Sequence, residues 1–156
     1  MNDRLKWIED EVRRNAEFHV VSADALVRKA NVTLNLLLTG AGGALAYMVS
    51  LFERSGWHWA TVGVGAVSAY LFMLAALVVL KCLQIQPIWP TANEPNNLHQ
   101  PDFDFIKLRE FELRSKQRCI DHNCARNDLV SMWLNRVRVG ISIAPIVFLL
   151  AAALVC

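Results

Sequence analysis

Apolar and polar positions along this chain fall into long separate blocks. Charge is absent from Asn31 to Phe52, from Trp59 to Leu80 and from Val139 to Cys156, stretches of 22, 22 and 18 residues. About 20 apolar residues, at 1.5 Å rise each, cross the roughly 30 Å hydrocarbon core of a bilayer. Within that core a helix satisfies all its backbone hydrogen bonds internally. The pattern therefore predicts transmembrane helices at 31–52, 59–80 and 139–156.

The charged blocks carry their own periodicity. Leu5, Ile8, Val12, Ala16, His19 with Val20, Ala23, Val27 and Ala30 recur in steps of three and four, the period of an amphipathic helix. No Pro or Gly interrupts the chain before Gly40. One continuous helix of about 50 residues, roughly 75 Å long, is thus expected to run from 1–30 through the first span. Further on, Pro87, Pro90, Pro95 and Pro101, with Asn93, Asn96 and Asn97 between them, predict a loop from Leu83 to Pro101. A helix is expected to restart at Asp102 or Asp104, either serving as N-cap, and to continue through Arg138 into the third span. Pro145 marks a position for a kink.

Ile106, Leu113, Ile120 and Leu134 are separated by multiples of seven, and Asn127 falls in the same register. Between Arg114 and Asp128, however, the apolar residues are Cys119, Ile120, Cys124 and Ala125 alone. Such a stretch is expected to be too polar for the core of a single protomer. It is washed by water, packed against a partner subunit, or the wall of a ligand site.

Composition agrees with this segregation. Hydrophobic residues make up 54% and charged ones 19%, too apolar for an ordinary soluble domain and too charged for a bare membrane bundle. Of all the Asp, Glu, Lys and Arg, only Glu53, Arg54 and Lys81 lie outside 1–29 and 94–138. The net charge of +2 leaves no electrostatic footprint for nucleic acid. Some 30 residues with six acids and six bases precede the first span, unlike a cleaved signal peptide. Arg28 and Lys29, Lys81, and Arg136 and Arg138 border the spans on one side, whereas the 53–58 link holds one Arg offset by Glu53. The positive-inside rule then places 1–30 and 81–138 in the cytoplasm and the C-terminus at or near the outer face. Trp57 and Trp59 suit the outer interface and Trp133 the inner one. Cys82 and Cys156 would lie at opposite faces, and cytoplasmic Cys119 and Cys124 are expected to stay reduced.

Small residues crowd the first two spans: Gly40/Ala44, Gly42/Ala46 and Gly65/Ala69 are small-xxx-small pairs. They serve packing within the hairpin or contacts between subunits. Asn31 and Asn35 share a face one turn apart and either hydrogen-bond between helices or line a pore or gate. Arg114, Lys116, Arg118 and Arg126, with Arg136 and Arg138 at the membrane, form a basic series interspersed with Glu110, Glu112, Asp121 and Asp128. That series is a solvated, salt-bridged face or a pocket between subunits for a phosphorylated ligand. Arg14-Asn15 followed by His19 fits the R-N-x-x-x-H pattern of HEPN ribonucleases, but a solvated Arg and a half-buried His explain it as well. Cys119, His122 and Cys124 are a short ligand run lacking the second pair of a structural zinc site. No phosphate loop, nucleophile elbow or carboxylate pair points to an enzyme.

The layout resembles the Pycsar transmembrane effectors, small bacterial membrane proteins of antiphage defence. The matching pieces are Ala23-Asp24 and Lys29-Ala30, Leu36-Leu37-Leu38-Thr39-Gly40, Gly43-Ala44-Leu45, and Pro87 to Asn97 as the linker. Asn123, Ala125, Arg126, Arg136 and Arg138 match the approach to the last span. The chain departs from the family in the four residues between Asp24 and Lys29 and in Asn127, where the family has Lys. The resemblance implies a protein switched on by a cyclic nucleotide from a partner cyclase, which impairs the membrane and arrests or kills the infected cell.

The expected architecture is thus an all-α integral membrane protein with three transmembrane helices and two long cytoplasmic helical extensions, assembled as a homo-oligomer. Its expected partners are the lipid bilayer, further copies of itself and a cyclic nucleotide; no cofactor, metal or catalytic residue is expected. The expected setting is a bacterial inner membrane. The alternatives are a non-enzymatic membrane scaffold or docking subunit, and a holin-like phage membrane protein.

Overall fold

A computed structural model describes residues 2–84, 88–90 and 104–155, with side chains from Lys6 onward. Among the described residues there is no strand. Helix α1 runs Asn2–Ser55 and α2 runs Trp59–Val78, widening at its end into a π turn at Val79–Leu83. Helix α3 runs Phe105–Ala153. Each of the three is long and apolar enough to cross a membrane.

The helix ends follow local chemistry. The charged Glu53 and Arg54 remain helical, so the turn between α1 and α2 is Gly56-Trp57-His58. Gly56 has φ of 66°, a left-handed conformation open to glycine, and its N–H donates to the Phe52 carbonyl at 2.8 Å. His58 caps α2: its Nδ1 accepts from the Thr61 N–H at 3.2 Å. Asp104 stands just before α3, and its carbonyl accepts from the Leu108 N–H at 3.0 Å. Helix α3 continues through Pro145. The prolines and asparagines expected to form the loop lie outside the described residues, Pro90 excepted, as do Asp102 and Cys156.

The chain divides into two compact units. One combines Met1–Leu26 with Gln86–Leu129, the other Val27–Ile85 with Val130–Cys156.

In the second unit α2 packs antiparallel to both other helices. Along α1, Gly40 faces Leu71, Ser68 Oγ donates to the Ala41 carbonyl at 2.9 Å, and Gly65 faces Met48. Along α3, Cys82 meets the Val130 carbonyl, Tyr70 donates to the Gly140 carbonyl at 2.9 Å, and Gly63 faces the Phe148 ring. In a bilayer, where lipid offers no hydrophobic drive between helices, close packing at glycine and hydroxyl bonds to backbone carbonyls would supply the association. Gly40 and Gly65 of the small-xxx-small pairs are at these contacts, whereas Gly42 and Gly43 meet nothing within 4 Å.

In the first unit α1 and α3 run parallel, since Glu9 meets Arg109 and His19 meets Asn127. Ala16 and Ala23, seven residues apart, are buried on α1, and Ile120 and Asn127 on α3. One expectation fails here. Asn123, Arg126 and Asn127 are 2%, 6% and 7% exposed, so the polar stretch of α3 does enter the protomer core. It is tolerated because each of these side chains is hydrogen-bonded.

Candidate functional site

The most developed polar arrangement is this buried group on α3. Asn123 clasps the backbone of Trp89: its Oδ1 accepts from the Trp89 N–H at 3.1 Å and its Nδ2 donates to the Trp89 carbonyl at 3.2 Å. The Trp89 ring stacks on His122, with centroids 4.2 Å apart and planes 19° from parallel. One turn further along α3, Asn127 Nδ2 donates to the His19 carbonyl at 2.9 Å while its Oδ1 accepts from Arg126 at 3.1 Å. No buried side-chain polar atom lacks a partner among the described residues. The group fastens an irregular segment and a neighbouring helix to α3 through side chains that imitate backbone pairing.

Farther toward the start of α3, Arg109 forms a two-pronged ion pair with Glu9 of α1. Its Nε donates to Glu9 Oε1 at 2.6 Å, and a second guanidinium nitrogen bonds the other carboxylate oxygen. Hydrogen bonding from Arg109 holds the Glu9 carboxyl below the usual carboxylate range. Burial opposes this shift, while the charges of Arg109 and Lys116 add to it. Glu9 raises Arg109 in turn. A carboxylate with a depressed pKa in the folded state stabilises fully above its unfolded value, and that contribution disappears as pH falls through the folded value. Thermal stability is therefore expected to fall as pH drops below about 4, and to fall by less in Glu9→Gln, which lacks this part of the pH dependence. Solvent screening at this partly exposed pair keeps the effect modest.

The residues expected to bind a ligand divide between the units. Arg114 and Arg118 are exposed on the first unit; beside them Lys116 pairs with Glu112 at 2.8 Å. Arg126 belongs to the buried group and not to that open face. Arg136 and Arg138 are exposed on the second unit. Asn31 and Asn35, also in the second unit, are exposed on α1 and make no side-chain hydrogen bond among the described residues.

Comparison with known proteins returns no matching family model, curated relative or solved structure. Function rests on the residues alone.

Other candidate chemistry resolves into ordinary contacts. Arg14 pairs with exposed Glu11, and His19 is half-buried with its ring edge-on to Phe18. Cys124 donates to Asp128 Oδ2 at 3.8 Å, and burial followed by the Asp128 carboxylate pushes its thiol up, away from the reactive thiolate. His122 is occupied by Trp89. Among the described residues no three His, Cys, Asp or Glu side chains converge as metal ligands. Trp89, Glu9 and Arg109 carried no signal in the sequence, because their partners lie 34 and 100 residues away.

Proposed function

We propose that this chain is a bacterial inner-membrane effector of antiphage defence. As a homo-oligomer it damages the membrane when a cyclic nucleotide binds. The observation that carries the reading is a polar and small stripe on α1. Asn31, Asn35, Gly42 and Ala46, at intervals of four, seven and four, are all exposed. An amide facing hydrocarbon is costly, and a stripe of this kind is relieved by a second copy or by a water-filled lumen. Both remedies suit an oligomer that opens a path through the bilayer. Exposed Arg114 and Arg118 offer guanidinium groups to a nucleotide phosphate.

The decisive experiment uses the full chain in dye-loaded vesicles with a panel of cyclic mononucleotides. Leakage dependent on one nucleotide is expected, with altered leakage in Asn35→Leu and an oligomer by light scattering in detergent. A monomer with no leakage under any nucleotide would end the proposal. The orientation is read separately: a lone cysteine replacing Ser55 is expected to label from outside intact cells, and a lone Cys119 is not. The reverse pattern would invert the topology.

One observation favours the scaffold alternative. Trp7, Phe18, Val21 and Phe111, in the charged unit, are each 63% or more exposed. A docking subunit would cover them with another protein.

A further inference from the structure

Two cations from different helices converge on one aromatic ring in the second unit. Lys81 Nζ lies 5.7 Å and Arg136 Cζ 5.0 Å from the centroid of Trp133. Lys81 lies within the π turn at Val79–Leu83, which is closed by the Gln84 N–H donating to the Val79 carbonyl at 2.8 Å. Buried Cys82 anchors the turn against the Val130 carbonyl of α3.

Both cations are exposed, and neither makes an ion pair among the described residues. Each cation is held near the indole by its π face, and an anion bound by both would offset the repulsion between them. Their place in the bundle indicates which anion. Because α2 is antiparallel to α1, Lys81 at the end of α2 lies at the same end of the unit as Arg28 and Lys29, which precede the apolar part of α1. An indole flanked by Lys and Arg at the end of apolar helices is the arrangement that meets lipid headgroups.

We propose that Lys81, Trp133 and Arg136 form a binding site for the phosphodiester headgroup of an acidic phospholipid. The guanidinium takes the phosphate through paired N–H donors and the ammonium adds a point charge. The indole fixes the depth of both. The site is independent of any nucleotide response but rests on the reading of these helices as membrane spans.

Native mass spectrometry of the full-length protein, released gently from mixed phosphatidylglycerol and phosphatidylcholine nanodiscs, tests this. Wild type is expected to retain phosphatidylglycerol about tenfold over phosphatidylcholine, a preference that Lys81→Gln with Arg136→Gln abolishes. Arg28→Gln with Lys29→Gln, removing equal charge at the same end, is expected to keep it, as is Lys81→Arg with Arg136→Lys. Equal loss in both Gln pairs would reduce the site to bulk charge and overturn the proposal. So would saturation by inorganic phosphate with no preference between lipids, which would assign the site to a solution ligand. Resistance to carbonate extraction, measured on the same variants, separates failure of this site from failure of the spanning reading.

Discussion

Arg126→Glu is expected to unfold the charged unit. Arg126 is 6% exposed and donates to Asn127 Oδ1, while Asn127 donates to the His19 carbonyl. Glutamate in its place would bury a carboxylate against an oxygen that needs a donor. Breaking a buried, hydrogen-bonded charge arrangement costs roughly 3–5 kcal/mol, a large share of the stability of a small unit. Hydrogen exchange is the appropriate measurement, because it reads segments separately. Protection is expected to collapse over 6–26 and 104–129 and to persist in the apolar helices. On the proposed function, toxicity is expected to disappear with it. Arg114→Gln with Arg118→Gln, on the exposed face, separates the two causes: toxicity is lost there with exchange unchanged if those residues read the nucleotide. Unaltered exchange in Arg126→Glu would mean that the buried group contributes nothing to the fold.

Gly63→Ala is expected to weaken the packing of α2 on α3 by about 2 kcal/mol. A methyl at position 63 would meet Cε2 and Cδ2 of Phe148 at 2.7 and 2.8 Å. Retreat of that ring would disturb its edge-on contact with Trp59, whose centroid lies 6.3 Å away. Unfolding by detergent titration gives the measurement, with Gly43→Ala as the control. A methyl at position 43 would meet no other part of the described structure within 4 Å, and alanine favours a helix over glycine, so the control is expected to be neutral or stabilising. Phe148→Leu added to Gly63→Ala is expected to recover part of the loss. Equal behaviour of the two glycine variants would remove the close contact.

What could be read along the chain was what repeats. Three uncharged stretches correspond to apolar parts of three long helices, and the unbroken first helix followed from the absence of Pro and Gly before Gly40. The seven-residue register through Ile120, Asn127 and Leu134 also marked buried positions. Its polar member was the difficulty. Whether Asn127 faces water or a core depends on a carbonyl 108 residues earlier in the chain, and periodicity carries no information about such partners. The same holds for Trp89, whose backbone is paired by Asn123, and for Glu9 with Arg109. Gly140 also has a small residue one turn on, Ala144, and a methyl at Gly140 would lie 3.1 Å from Leu74, but the motif alone does not say which helix it meets. The π turn depends on how α2 meets α3 and has no pattern of its own. The basic residues expected at a ligand site were recognised by type, but Arg126 differs from Arg114 and Arg118 through its burial alone.

The three-residue turn at Gly56-Trp57-His58 bears on how the protein is made. Helices α1 and α2 leave the ribosome as neighbours, and the Ser68 hydroxyl has its acceptor at Ala41 as soon as they pair. With these helices read as membrane spans, the hairpin can enter the bilayer as one unit during synthesis. The apolar part of α3, from Val130 onward, arrives later, after the residues of the charged unit have been made, and the Tyr70 hydroxyl waits for the Gly140 carbonyl until then. A chain halted before Phe105 would hold a hairpin with that hydroxyl and the Gly63 groove open to lipid or to another nascent hairpin. Biogenesis thus has a vulnerable interval in which α3 must compete, within its own chain, for a surface that any second copy could occupy.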